Sequence, residues 1–122
     1  MIVTADASFL VSLDGVDVNT PAARRWMAAN AEPLLLTEAL RFETENALRL
    51  ACFRGRITAA ELAQALADIE SDLVQDILIA APLSAELHWA ECCRISATHT
   101  LATGSRAYDI THVAAGCDRR VM

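Results

Sequence analysis

Apolar residues along the chain fall into three short runs, separated by longer stretches in which they recur at helical spacing. Met1 to Ala5 is short and partly β-branched, stops at Asp6 and is followed by Ser8, a helix-capping type; it reads as a buried strand. Leu34-Leu35-Leu36, between Pro33 and Thr37, and Ile77 to Ala81, ended by Pro82, read as a second and a third. Phe9 to Leu13, cut off by Asp14-Gly15, predicts one or two helical turns. Thr20-Pro21 places a capping residue before proline and opens a helix through Trp26 to about Ala31.

Thr37 caps a helix predicted over about Glu38 to Phe53, with Gly55 placed to close it. Thr58-Ala59-Ala60-Glu61 has the form of a capping box, and Leu62, Leu66, Ile69 and Leu73 follow at helical spacing. Ser84 opens a helix from about Ala85 to His99, and a loop through Gly104 leads to a last helix, about Arg106 to Ala115. Strands alternating with helices predict an α/β fold, a short sheet paired in parallel with helices on its faces.

The 122 residues, 54% of them hydrophobic, suit a single domain spanning 1–122. The longest apolar run, Ile77 to Ala81, is far shorter than the roughly 20 residues of a membrane span, so no membrane association is expected. MIVTADAS has no basic stretch and meets an acid at Asp6, which predicts no secretion signal and a cytoplasmic protein. Sixteen acids against ten bases give a net charge of −6, which argues against binding nucleic acid through broad phosphate neutralisation. All ten bases are Arg and Ala occurs 24 times, a pairing that reads as coding bias rather than a use of guanidinium groups.

Cys52, Cys92, Cys93 and Cys117 include no C-x-x-C, so they are expected to be small buried or half-buried hydrophobes rather than zinc ligands. His88 and His99 lie about 16 Å apart by helical rise and do not share an ion. Trp26 and Trp89 sit within apolar helical patterns and are expected to be core or helix-packing residues.

Most of the acids, Glu70, Asp72 and Asp76 among them, are expected on solvent faces. Three stand apart. Asp6 ends what should be the most buried strand, at the sheet edge where open α/β sheets bind ligands, although capping the next turn also accounts for it. Glu43 lies in the stripe Ala39, Glu43, Asn46, Ala47, Leu50, which has core-facing spacing. A carboxylate there is costly unless paired or metal-bound, and neither Arg41 nor Arg49 is at i+3 or i+4 from it. Asp109 falls in the first turn of the last helix, where the helix dipole favours an anion. His112 follows it by three and shares its face, either orienting the acid or packing beneath the pocket.

Carboxylates converging from a strand end and two helices repel one another unless a cation intervenes. Oxygen ligands favour Mg2+ or Mn2+ over zinc, and an ion that lowers the pKa of its bound water supplies a nucleophile for phosphodiester hydrolysis.

Four segments in order, Ile2-Val3-x-x-Asp6-x-Ser8, Thr37 to Leu48 with Glu43, Asn46 and Ala47, Tyr108-Asp109-x-x-His112-Val113-Ala114-Ala115, and Asp118-Arg119-Arg120, cover nearly the whole chain. Together they resemble the PIN-domain ribonucleases, in particular the VapC-like toxins of bacterial toxin–antitoxin pairs. The resemblance implies a three-layer α/β/α fold and an acidic pocket binding Mg2+ or Mn2+. It implies endonucleolytic cleavage of single-stranded RNA by metal-activated water, a cognate antitoxin that covers the pocket, and a homodimer. It implies Asp6, Glu43 and Asp109 as catalytic metal ligands, Ser8 as the support of Asp6, and Asn46 near Glu43. Arg49, Arg54, Arg56 and the Arg119-Arg120 pair are then the candidates for phosphate contact.

In the family a further strand separates the last helix from a fourth acid, whereas here Gly116, Cys117 and Asp118 follow Ala115 at once. With residues 107–115 helical the chain runs about 9 Å away from Asp109, and three residues do not return Asp118 to the strand edge. Lacking that strand, the first strand becomes an exposed edge. The competing expectation, from a different function class, is a catalytically impaired PIN-like protein that binds an antitoxin or itself.

Overall fold

The computed structural model describes residues 3–80 and 84–118. The start of the first expected strand at Met1 and Ile2, the end of the third at Ala81 with its Pro82 stop, and the Arg119-Arg120 pair lie outside them. The chain runs β1 (Val3–Thr4), α1 (Ala7–Asp14), α2 (Thr20–Ala29), β2 (Leu34–Leu36), α3 (Glu38–Phe53), α4 (Ala59–Val74), β3 (Leu78–Ala80), α5 (Ala85–Thr103) and α6 (Ala107–Asp118).

Local chemistry sets most of these boundaries. Thr37 Oγ1 accepts the Leu40 N–H at 3.0 Å and so starts α3. Thr58 and Glu61 form the reciprocal capping box of α4, with bonds of 3.1 and 2.9 Å. Asp6 is the cap of α1. At α2 the cap is Asn19, and Thr20 is already helical, its hydroxyl accepting the Asp17 N–H instead. α5 continues past His99 to Thr103, because nothing interrupts it before Gly104, which closes it in the left-handed region at φ 65°. α6 likewise continues past Ala115 through Asp118.

The three strands pair in parallel in the order β1-β2-β3, with Val3 opposite Leu34 and Leu34 opposite Leu78. The central strand is β2, and all three of its leucines are buried. β1 is an edge among the described residues, as the missing further strand implies, rather than the most buried strand: Val3 is half-buried and Thr4 exposed, with β2 on one side.

α1 packs against α2, α3 and α4, and α4 against β3, so α1 to α4 and the sheet share one continuous core. Leu10, Leu34, Leu48, Ile69 and Leu78 are its largest fully buried apolar side chains. The turn after α1 fits closely: a Cβ on Gly15 would meet the Val11 carbonyl oxygen at 2.4 Å and Leu48 at 3.1 Å.

The buried seam of α3 is Leu40, Thr44 and Leu48, one position round from the expected stripe. Burying two leucines removes more apolar area from water than burying Ala39 and Ala47. Glu43 therefore sits half-buried on the flank, while Asn46 and Leu50 are exposed.

α5 packs on α6 around Cys92, Ile95, Ile110 and Ala114, and α6 in turn touches β1. With one face covered, α5 leaves Trp89 and Cys93 exposed, contrary to their expected burial. Trp26 is also exposed but rests edge-on against Phe9, ring centres 5.4 Å apart, joining α2 to α1. Cys52 is half-buried, Cys92 is buried, and the Cys117 side chain lies outside the described residues. Glu70 and Asp76 are exposed as expected, whereas Asp72 is half-buried against Asp14. No described helix is long and apolar enough to cross a membrane.

Candidate functional site

All three strands point the same way, so the segments leaving β1 and β2 meet at one carboxyl edge of the sheet. Asp6 stands there, exposed, as the cap of α1. Its Oδ1 accepts the Ser8 hydroxyl at 2.7 Å and the Phe9 N–H at 3.0 Å. The Ser8 hydrogen bond, against an opposing effect of burial, holds its carboxyl below the usual aspartate range, helped by the Phe9 N–H and the charge of His112. Asp6 is thus an oriented carboxylate that stays ionised well into the acid range.

Glu43 reaches the same edge from the second turn of α3. Arg41 and Arg49 are both held by Glu45, at 3.4 and 4.0 Å along the helix, and Arg41 also pairs with Glu70. This leaves Glu43 for a partner 69 residues away: His112 Nε2 lies 2.9 Å from Glu43 Oε2. An ionised carboxylate only accepts, so in this pair the imidazole carries its proton on Nε2 and donates. The His112 side chain is 11% exposed and that of Glu43 38%, so water competes for the bond from one side only. The pair joins α3 to α6 beside the charge of Asp6.

Asp109 is not part of this constellation. It lies one turn before His112, exposed, with Oδ2 3.6 Å from Arg106 Nε. Asn46 is exposed one turn beyond Glu43. α6 is continuous from Ala107 to Asp118, so helical rise alone carries the Asp118 backbone about 13 Å from Asp109; its side chain lies outside the described residues. Arg49, Arg54 and Arg56 are exposed on and just beyond the last turns of α3.

Asp6 and Glu43 are hard oxygen donors on one edge, a chemistry suited to Mg2+ or Mn2+. Among the described residues, however, no three His, Cys, Asp or Glu side chains are gathered as an ion cage. His112 provides the donor partner of one Glu43 oxygen, Oε2, in this arrangement, and the carboxylate has a second oxygen for an ion.

Sequence reading placed His112 near the acids through its spacing from Asp109. It did not find the Glu43 hydrogen bond, which depends on how α3 rotates about its axis. It also missed a second acidic group, Asp14 with Asp68 and Asp72. The available signal was the i, i+4 spacing of Asp68 and Asp72 beside the buried Ile69. Neither a scan of protein-family models nor a search of curated proteins finds a match to this chain.

Proposed function

We propose that the chain is a metal-dependent endoribonuclease of the PIN type, similar to VapC toxins, acting on single-stranded RNA. The observation that carries this reading is the Glu43–His112 hydrogen bond, which ties two segments distant in sequence, α3 and α6, with the charge of His112 acting on Asp6. Asp6 and Glu43 would hold Mg2+ or Mn2+, joined by Asp109 once it turns from Arg106. Bound there, the ion would lower the pKa of water and offset charge on the phosphodiester undergoing cleavage.

The chain's own residues have separate tasks. Ser8 and the Phe9 N–H orient Asp6 and keep it ionised. His112 fixes Glu43 through the proton it holds at Nε2. Arg49, Arg54 and Arg56 supply exposed guanidinium groups for phosphate oxygens. The apolar side chains that α5 leaves exposed, Leu87, Trp89 and Leu101, support a cognate antitoxin or a second copy as protein partner.

The test is Mn2+-dependent cleavage of a single-stranded RNA by the wild type and by Asp6→Asn. Cleavage by the wild type that Asp6→Asn abolishes supports the assignment; equal cleavage by both removes it. A second reading, a PIN-like interaction protein without catalysis, is favoured by the position of Asp109 against Arg106. Antitoxin binding or self-association by a wild type that cleaves no RNA with Mn2+ would select it.

A further inference from the structure

At the opposite, amino edge of the sheet, where Ile77 leads into β3, a cavity of about 320 Å³ opens between the ends of α1, α2 and α4. Its lining has two halves. Leu13, Met27 and Ile77 are aliphatic, and Asp14, Asp68 and Asp72 are acids. Asp14 is 7% exposed, and no N–H or hydroxyl among the described residues reaches its Oδ2. The Asp14 carboxyl instead hydrogen-bonds that of Asp72, a pairing that needs a proton between two acids and that a ligand donor can replace.

The charged groups facing Asp14 are Asp72 and Asp68 from α4 and Arg24 from α2. Arg24 is exposed and donates its Nε–H to the Leu13 carbonyl at 3.4 Å. One cation against three carboxyl groups leaves the cavity short of positive charge even with one carboxyl protonated. Burial, followed by the charge of Asp72, pushes the Asp14 carboxyl up to about 8, so near neutrality this deficit is met by a proton.

We propose that this cavity binds a small organic cation, an ammonium or guanidinium group on a short aliphatic stem, with the three aspartates taking the charge and Leu13, Met27 and Ile77 the stem. A bare metal ion fits less well. The acids are not gathered as an ion cage, and the aliphatic half of the lining gives an ion nothing to bind. At about 320 Å³ the cavity is at the small end for a ligand site, which suits a stem of a few carbons. The cation displaces the proton shared by Asp14 and Asp72, so binding tightens as pH rises, by up to about tenfold per unit below the Asp14 titration.

Isothermal titration of the full chain tests this with two probes, agmatine as a free cation and an N-acetyl, C-amide arginine as a side chain presented by a protein, at pH 6.5 and 8.5. n-Butanol serves as the uncharged control. The expected result is binding of at least one cationic probe, tighter at pH 8.5, with none for n-butanol. Asp14→Asn and Asp72→Asn should each weaken it at least tenfold at pH 8.5, and Asp14→Asn should flatten the pH dependence. Arg24→Gln removes the resident cation and should tighten binding severalfold. The tighter of the two probes distinguishes a free ligand from a protein-borne one. Lack of binding by both, or wild-type affinity in Asp14→Asn and Asp72→Asn, overturns the proposal. Asp68→Asn, at a half-buried position, stands in if the buried variant fails to fold: it should weaken binding severalfold at pH 8.5, and wild-type affinity there overturns the proposal.

Discussion

Helix α1 carries an aspartate at each end, and the two are held in opposite states. Asp6, at the N-terminal end, faces backbone N–H groups, the Ser8 hydroxyl and the charge of His112, all of which favour the anion. Asp14, the last residue of the helix, is buried beside the carboxyl groups of Asp72 and Asp68, at the end where the helix dipole also disfavours negative charge. About 12 Å of helix therefore separates an oriented, ionised acid from a protonated one. Residue type alone does not define a functional acid here. What faces the carboxyl decides whether it presents charge to a cation or waits for one to displace its proton.

The largest effect that separates the two ends is catalytic. If Asp6 and Glu43 hold the metal of the proposed nuclease, Asp6→Asn and Glu43→Gln should each lower Mn2+-dependent RNA cleavage by about a hundredfold or more, since losing a metal ligand costs at least as much as losing a residue that orients one. Asp14→Asn should cleave at the wild-type rate. Initial rates on one labelled RNA decide it, and a loss in Asp14→Asn as deep as in Asp6→Asn would break the distinction between the two ends.

Stability against pH gives the next contrast. Asp14 has its folded value raised to about 8 from an ordinary 3.8, so between those limits the folded state binds more protons than the unfolded one. Its contribution is fully present below the lower value, falls as pH rises through the window, and levels off above the upper one. Asp72 is raised as well, by burial first, and acts in the same direction. Asp14→Asn removes the ionisable group, so the variant should melt on the order of 5 °C above the wild type at pH 8.5, with the gap closing toward pH 4. Thermal melts across that range check it; parallel curves for the two proteins would refute the burial argument.

Asp6 acts with the opposite sign. Its folded value lies below the ordinary one, so its stabilisation is present above the ordinary value and is lost as pH falls through the folded one. Asp6→Ala removes the α1 cap and should cost about 1 kcal/mol at pH 7, measured by urea unfolding, and less in acid. An equal cost at pH 7 and in acid would show that the cap needs no charge.

Much of this architecture is legible in the sequence because it depends on local chemistry. Thr37, the Thr58–Glu61 box and Gly104 fix helix ends through their own hydrogen bonds and backbone angles, and the leucines of β2 need only the core. The errors arise where two solutions share one periodicity. Both stripes of α3 have helical spacing, and packing chose Leu40 and Leu48, which turned Glu43 toward His112. Trp89 lies outside the core for a related reason: among the described residues α5 packs mainly on α6, which leaves Trp89 exposed. The Asp14 cavity is formed by α1, α2 and α4 together, and no single segment announces it.

The smallest effect isolates how the N-terminal end keeps its charge. The charge of His112 acts on Asp6 while its Nε2–H holds Glu43. Gln at position 112 can still donate to Glu43 but brings no charge, so His112→Gln should change stability by less than about 1 kcal/mol while moving the Asp6 titration up toward the ordinary aspartate value. Ser8→Ala removes the larger of the two influences and should move it further in the same direction. Carboxyl chemical shifts followed by NMR from pH 2 to 6 read both variants, with Asp14 as the internal reference at the other end of the helix. If Asp6 keeps its titration in His112→Gln, the charge reaches it from its own helix and the Glu43–His112 pair serves only to join α3 to α6; if it moves while Asp14 does not, the edge of the sheet behaves as one electrostatic unit.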